Sequence, residues 1–543
     1  MTRAIPQDAL AGLLLAAIAI PEQLATARLA GMPPEAGLFA FVAGTAGFAL
    51  FGTNRFLSAG ADSTIAPIFA SGLAVFAIAG TPDYAALAAL LAAMVGVVLI
   101  AAAVLRAGWI ADLLSIPVVT GFLAGIAVHI VIGQLPSVLG VAGAAGSLVS
   151  QAAAMWHALP RANPIAIGIG AFVLLTTRLT ERLMPRLPGA LLSVGLAAVA
   201  TAAFDLRGRG IDVVGALSVS LPHPPIGLLH PADVLRLLPL TLIVALVCMV
   251  QTAAVLRAFP SQPDGPRHVA RDFGGVGAGN ILAAALGSFA VDASPPRTAV
   301  VVQAGGTSQL AGVVAVAITV ALLLGGSGMF AFVPHAALAG LLLAVALRLF
   351  RLREMLRILH YGGLEILQVG AAAVLVIALP IQEGVFAAIV LSLLQSFYGV
   401  ARPLCVELVR AAGTTVWWPP NGEHREEHVP GVLVFAPSAP LNFTNAAFVR
   451  TRLAQAIAGA AAPVRLVVIE ASGIIDIDYT GSLMLQHEIA ALRERGIEVA
   501  LARLSSERAQ AQARRAGLLD ALGAEHVFLS VEDAVQRRSA AGG

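Results

Sequence analysis

From the start of the chain to Arg402, apolar runs alternate with short polar breaks. A bilayer core takes roughly 20 apolar residues per helix, and that ruler predicts about fourteen spans. The first seven are expected at 8–30, 35–51, 64–79, 84–106, 110–138, 163–180 and 187–204. The second seven are expected at 234–258, 272–290, 295–308, 310–328, 330–349, 364–380 and 383–400. The third and tenth are short. The stretch from Ser147 to Leu159 is amphipathic and too short to span, so it is predicted to lie along the interface.

After Arg402-Pro403 the pattern becomes that of a soluble domain. Gly431 to Phe435, Val464 to Glu470 and Gly496 to Arg503 read as strands. Ala446 to Ile457, Gly481 to Arg495 and Ser506 to Leu522 read as amphipathic helices. The alternation predicts a small α/β domain. The expected organisation is a transmembrane domain at 1–403, a linker at 404–430 and the α/β domain at 431–543.

Two places break the apolar pattern from within. Val291-Asp292-Ala293-Ser294-Pro295-Pro296-Arg297-Thr298 holds acid, base, hydroxyls and two prolines inside an apolar region. Proline suits a first helical turn and no later one, so a helix is expected to begin here. Its unpaired N–H groups, its positive dipole end and Arg297 together make a place to hold an anion. Gly60-Ala61-Asp62-Ser63-Thr64-Ile65-Ala66-Pro67 reads the same way, with Ser or Thr at the N-cap of a short helix. Interrupted helices in corresponding places of two halves point to a transporter's binding site. Seven spans per half is an odd number, so the second half is expected to be inverted relative to the first.

Composition agrees with the spans. Of 543 residues 58% are hydrophobic and 12% charged, which places the chain among polytopic membrane proteins. The chain has no lysine, so all 33 permanently positive side chains are arginine. Arginines in the loops after even-numbered spans (Arg55, Arg106, Arg178, Arg182, Arg186, Arg257, Arg267, Arg271, Arg348, Arg351, Arg353 and Arg357) place the amino terminus and the α/β domain in the cytoplasm. Arg161, Arg207, Arg209 and Arg236 run against that bias. The amino-terminal segment lacks a small-residue cleavage pattern and reads as a retained first span. A net charge of +2 gives no reason to expect nucleic acid. Cys248 and Cys405 form no disulfide or metal framework, and His129, His157 and His335 are isolated. No cofactor, metal or enzymatic nucleophile–base set is indicated.

Several motifs carry a resemblance. Ile20-Pro21-Glu22-Gln23-Leu24-Ala25-Thr26-Ala27, Leu29-Ala30-Gly31-Met32-Pro33-Pro34 with Gly37-Leu38, and Gly52-Thr53-Asn54-Arg55 leading to Gly60-Ala61-Asp62-Ser63 occur in order. Arg297-Thr298-Ala299-Val300, Pro334-His335-Ala336-Ala337-Leu338-Ala339-Gly340 and Asp478-Tyr479-Thr480-Gly481 follow. The chain resembles the SulP (sulfate permease) family of anion transporters with a carboxy-terminal STAS domain. The resemblance implies a core domain rocking against a gate domain, a homodimer in lipid, and a small anion such as sulfate, bicarbonate, chloride or a dicarboxylate. It implies an anion site between the third and tenth half-helices and the first and eighth spans.

On these grounds Ser63, Thr64, Arg297, Thr298, Gln23 and Gln251 are the candidate substrate contacts. Glu22, an acid inside an apolar span, stands where the family usually has Gln and is the candidate proton-coupling residue. Its alternative role is a structural pair with Arg28. Arg297 has the alternative of pairing with Asp292. Gln23 is either a packing hydrogen bond or a substrate contact. Asp62 and Asp292 are gate or helix-start acids. Gln251 stands where many members have an acid, which disfavours a sodium site there; the proton is the expected coupling ion, with sodium the alternative. Asp478 and Thr480 either cap the helix that follows or mark a regulatory turn. The expected function is proton-coupled anion symport. Its alternatives are exchange or channel activity in the same family, a nucleobase–proton symporter, and a membrane-anchored STAS sensor.

Overall fold

The computed structural model describes residues 4–541 except 110–114, 144–147, 185–187, 216–226, 228–229, 262–265, 326, 362, 421 and 423–424. Arg186, Ser147, residues 110–114 of the fifth predicted span, residue 187 of the seventh and residue 326 of the eleventh lie outside the described residues. The chain forms two compact units, 1–393 and 394–543.

The first half of the membrane unit comprises α1 (Ala4–Leu29), α2 (Pro34–Phe51), β1 (Ala59–Gly60), α3 (Ala66–Leu73), α4 (Pro82–Val104) and α5 (Ile116–Leu139). It continues through α6 (Leu148–Ala158), α7 (Pro164–Leu183) and α8 (Gly189–Ala203). The second half repeats this order with α9 (Pro231–Ala258), α10 (Pro266–Ala285), β2 (Asp292–Ala293), α11 (Pro295–Gln303) and α12 (Leu310–Gly325). It ends with α13 (His335–Leu349), α14 (Leu352–Tyr361), α15 (Leu364–Ala378) and α16 (Ile381–Ala401). Among the described residues, eight helices are long and apolar enough to cross a membrane, and three shorter apolar helices accompany them. α3 and α11 have 8 and 9 residues. At 1.5 Å per residue they rise only about 12–14 Å, less than half of a bilayer core.

Each predicted span coincides with a helix, with changes at the ends that have local causes. α10 stops at Ala285 rather than 290 because Gly287 turns the chain at φ 64°. The helix predicted from 330 starts only at His335, behind Pro334, after a 3-10 turn at Ser327–Phe332. α3 is shorter than expected at both ends. Its N-cap is Ile65, not Ser63 or Thr64, and the Asp62 carboxylate accepts the Thr64 N–H at 2.8 Å instead. The arginine-rich segment after α13 is itself helical. α14 is amphipathic, with Leu352, Leu356 and Leu359 exposed, and occupies the place in the second half that α6 holds in the first.

Helix packing sorts the membrane unit into two bundles. α10 packs on α2 and α4, α12 on α1 and α2, α9 on α4, and α11 on α1. α5 packs on α13 and α15, and α7 on α8 and α13. The first set forms a core bundle (α1–α4, α9–α12). The second forms a gate bundle, to which α16 is tied where the Ser115 N–H donates to Ser392 Oγ at 3.0 Å. Within the core bundle glycine permits the closest approach. A Cβ on Gly279 would stand 2.9 Å from Gly44 Cα, and one on Gly44 would stand 2.9 Å from Gly60 N. β1 therefore lies directly against α2.

The second unit holds a sheet in the order β4 (Trp417–Trp418), β3 (Cys405–Ala411), β6 (Val432–Pro437), β7 (Leu466–Glu470), β8 (Glu498–Ala502), β9 (Val527–Phe528), with β5 (Glu426–Glu427) also pairing β3. Residues 404–430, expected as a linker, thus supply three strands; β3 runs antiparallel to β6 with Cys405 opposite Pro437. Successive strand residues face opposite sides. Leu433 and Phe435 pack under α17 (Ala446–Gly459) and α18 (Tyr479–Glu494), while Val434 and Val468 pack with Val531 and Val535 of α21 (Val531–Ala541). The helix predicted over 506–522 is two, α19 (Glu507–Arg515) and α20 (Leu518–Leu522), because Gly517 takes φ 73° between them.

Candidate functional site

The two interrupted helices meet through their leading strands. Ala59 pairs with Ala293 and Gly60 with Asp292 in an antiparallel bridge, so the segments entering α3 and α11 run in opposed directions, as inverted halves require. Neighbouring helices complete the hydrogen bonds that so short a bridge leaves open. The Asn280 amide donates to Val291 O at 2.8 Å and accepts from Val291 N at 3.0 Å. The Gln23 amide treats Ala61 the same way, donating to its carbonyl at 2.9 Å and accepting from its N–H at 2.8 Å. Ser294 N donates to Ser58 O at 2.9 Å, and Ser58 N donates to Thr298 Oγ1 at 3.2 Å. Non-helical backbone is thereby satisfied at a depth where unpaired groups are costly.

Arg297, in the first turn of α11, is completely buried. Its Nη1 donates to Ala61 O at 2.9 Å and stands 3.9 Å from Glu22 Oε2, while its Nε and Nη2 have no hydrogen-bond partner. The guanidinium also lies 6.0 Å from the Phe41 ring centre. A buried cation with open donors at a helix start has the charge and the hydrogen-bond capacity to receive an anion. The Glu22 carboxylate, 6% exposed, faces a second cation: its Oε1 is 3.9 Å from Arg348 Nη2 of α13. Arg348 Nη1 in turn lies 3.5 Å from Glu181 of α7, whose other oxygen accepts from Arg178 at 3.2 Å. Charge thus runs from the core bundle through Glu22 into the gate bundle.

The other candidates group around this centre. Gln251 of α9 donates to Thr64 Oγ1 at 3.0 Å, joining the eighth span to the third half-helix. Asp62 is buried and lies within the field of both Arg297 and Glu22. Asp292 is buried and accepts the Ala293 N–H at 2.6 Å. Thr298 directs its hydroxyl to Ser294 O at 2.8 Å. Ser63 is buried in the turn ahead of α3. Neither alternative partner forms the ion pair weighed from sequence: Arg28 donates to Ser137 Oγ and His335 O, and the carboxylate that faces Arg297 is Glu22, not Asp292.

In the sequence Arg348 belongs to an arginine cluster that reads as a topology-marking loop; the structure places it in the last turn of α13, facing Glu22. Its signal was an arginine closing an otherwise apolar helix. The hydroxyls of Thr26, Thr252 and Ser294 are buried without hydrogen-bond partners. A cavity of about 540 Å³ lies between α1, α8 and α12, but its walls are apolar and offer an anion nothing. Among the described residues no group of His, Cys, Asp and Glu could hold a metal. In the second unit Asp478 caps α18, accepting from Gly481 N at 2.7 Å and Phe443 N at 2.8 Å, and Thr480 is exposed beside it.

Comparison with known proteins agrees with this architecture. Residues 5–373 match the sulfate permease family and residues 425–534 match the STAS domain. A Mycobacterium tuberculosis protein named "Probable sulfate transporter" is 32% identical over 97% of this chain and 94% of its own length. Murine Slc26a9, solved in its inward-facing state, superposes with a TM-score of 0.88 at 19% identity, covering 99% of this chain and 92% of that one. The transmembrane domain of the cyanobacterial bicarbonate transporter BicA superposes with a TM-score of 0.63 at 21% identity, covering 72% and 98%.

Proposed function

The chain belongs to the sulfate permease family, and from that premise we propose that it is a secondary active transporter carrying a small oxyanion, sulfate foremost, in symport with protons. It is a membrane transporter and not an enzyme. The observation that carries the reading is Arg297, fully buried with open donors where two helices begin. The relative named "Probable sulfate transporter" favours sulfate; the oxygens of an oxyanion also suit guanidinium and backbone N–H donors.

The anion settles between the starts of α3 and α11, against Arg297, with Ser63, Thr64 and Gln251 completing its surround. Glu22 takes up the coupling proton, which removes the negative charge that competes with the substrate for Arg297. Movement of the core bundle against the gate bundle then exposes the site to the other side of the membrane. The arginine distribution supports a cytoplasmic amino terminus and STAS domain.

The test is uptake of labelled sulfate, bicarbonate, chloride and fumarate into proteoliposomes under an imposed inward proton or sodium gradient. Accumulation of sulfate driven by the proton gradient alone is the expected result. Accumulation driven by sodium contradicts the coupling, and absence of anion flux under any condition contradicts the transport reading.

A further inference from the structure

Glu22 presents one oxygen to Arg297 of the core bundle and the other to Arg348 of the gate bundle, each at 3.9 Å. Charge-assisted hydrogen bonds close to about 2.7–2.9 Å. Both contacts are therefore too long to be hydrogen bonds, and Glu22 Oε2 is buried with no hydrogen-bond partner at all. Arg348 pairs with Glu181 through Nη1 at 3.5 Å while its Nη2 faces Glu22. The carboxylate stands between two cations without hydrogen-bonding to either.

We propose that Arg348 is the second cation of the anion site, and that Glu22 stands in for the substrate in the gap between Arg297 and Arg348 until a divalent tetrahedral oxyanion displaces it. The proposal rests on the anion-transport reading and deepens it by naming the substrate's charge. A carboxylate edge and one edge of a tetrahedral oxyanion offer similar pairs of oxygens. A dianion brings one charge to each guanidinium it faces, whereas a monoanion brings one to share between them; Glu181, itself part-exposed, offsets Arg348 only in part. The two arginines come from different bundles, so an anion held by both also draws the gate onto the core. The charged groups facing Glu22 are Arg297 from α11, Arg348 from α13 and Asp62 ahead of α3. When Glu22 is neutralised by a proton, both arginines turn to the substrate.

The experiment measures equilibrium binding of sulfate and nitrate to the purified full-length protein and to three variants, each checked for a monodisperse elution profile. Arg348→Gln is expected to weaken sulfate at least ~10-fold, as loss of one charged hydrogen-bond partner does, while changing nitrate far less. Arg348→Lys is expected to recover part of the preference for sulfate. Glu22→Gln, which removes the resident carboxylate and keeps both arginines, is expected to tighten sulfate binding even where Arg348→Gln does not fold. An unchanged sulfate-to-nitrate ratio in folded Arg348→Gln, or unchanged or weaker sulfate binding in Glu22→Gln, overturns the proposal. Those outcomes leave anion transport itself standing; that reading falls instead if the unmodified protein binds and moves no anion.

Discussion

Glu22 and Arg297, from opposite halves of the chain, face each other at 3.9 Å where the third and tenth helices begin. Neither residue is placed by its own neighbours alone. α1 carries Glu22 through the middle of the core bundle, and the bridge between β1 and β2 fixes where α11 starts and hence where Arg297 points.

Replacing Glu22 with Gln keeps the side chain's size but exchanges one acceptor oxygen for an N–H donor and removes the titratable group. Accumulation driven by a proton gradient is expected to be lost, while exchange of labelled for unlabelled anion across the same vesicles continues. Gradient-driven uptake at the unmodified level would take Glu22 out of the coupling role.

Arg297→Ala removes the buried charge and three donor groups. One charged hydrogen bond contributes about 1.5–3 kcal/mol, so anion affinity is expected to fall about 10- to 100-fold. Isothermal titration with sulfate reads this directly. The same substitution leaves Ala61 O with only its bond from Gln23.

Gln23 acts on the backbone, not only on substrate. Gln23→Leu strips Ala61 N–H of its partner in a buried place, which is expected to cost about 1–3 kcal/mol and to lower the melting temperature in detergent. A melting temperature equal to the parent's would make Gln23 a substrate contact alone.

Asp478 caps α18 by accepting from Gly481 N. Asp478→Ala is expected to destabilise the STAS unit by about 0.5–2 kcal/mol, and Asp478→Asn by less, since Asn still caps α18 but its amide nitrogen cannot accept the Phe443 N–H. Chemical denaturation followed through the STAS helices distinguishes the two; equal losses would point to a role for the charge instead.

The STAS unit carries its own acid sensitivity. Burial alone would raise the pKa of Glu532, but hydrogen bonds from Trp417 at 2.8 Å and Gln536 at 2.8 Å, together with Arg410, hold it below the ordinary glutamate value of 4.5. A carboxylate with a depressed folded-state pKa contributes stability above the unfolded value and loses it as pH falls through the folded one. Stability of the STAS unit is therefore expected to decline below pH 4.5, and Glu532→Gln to flatten that part of the profile. An identical acid limb in the variant would assign the sensitivity elsewhere.

Much of the fold was legible because its causes are local. Pro295 and Pro296 force a helix to start where it does, and Gly287 ends the one before. The α/β alternation after Arg402 showed the second unit, but β3 was missed because its alternation is broken by Glu407 and Arg410, which read as linker. α19 and α20 were merged because only the positive φ at Gly517 separates two otherwise continuous amphipathic turns. At the site, residue identity was visible and pairing was not. Arg28 lies nearer to Glu22 in sequence than Arg297 or Arg348, yet its guanidinium reaches α5 and α13 instead.

The sequence by itself determined the spans, the two half-helices and the few polar side chains committed to the bilayer interior. Hydrophobic length, proline and glycine act over a single turn or a single helix, and need no knowledge of what lies alongside. Only the tertiary structure decided that Gln23 clasps Ala61, that Gln251 meets Thr64, and that Glu22 stands between a core arginine and a gate arginine. Those relationships depend on how helices from both halves cross. In a medium of low dielectric a few ångströms of separation set which charges answer one another.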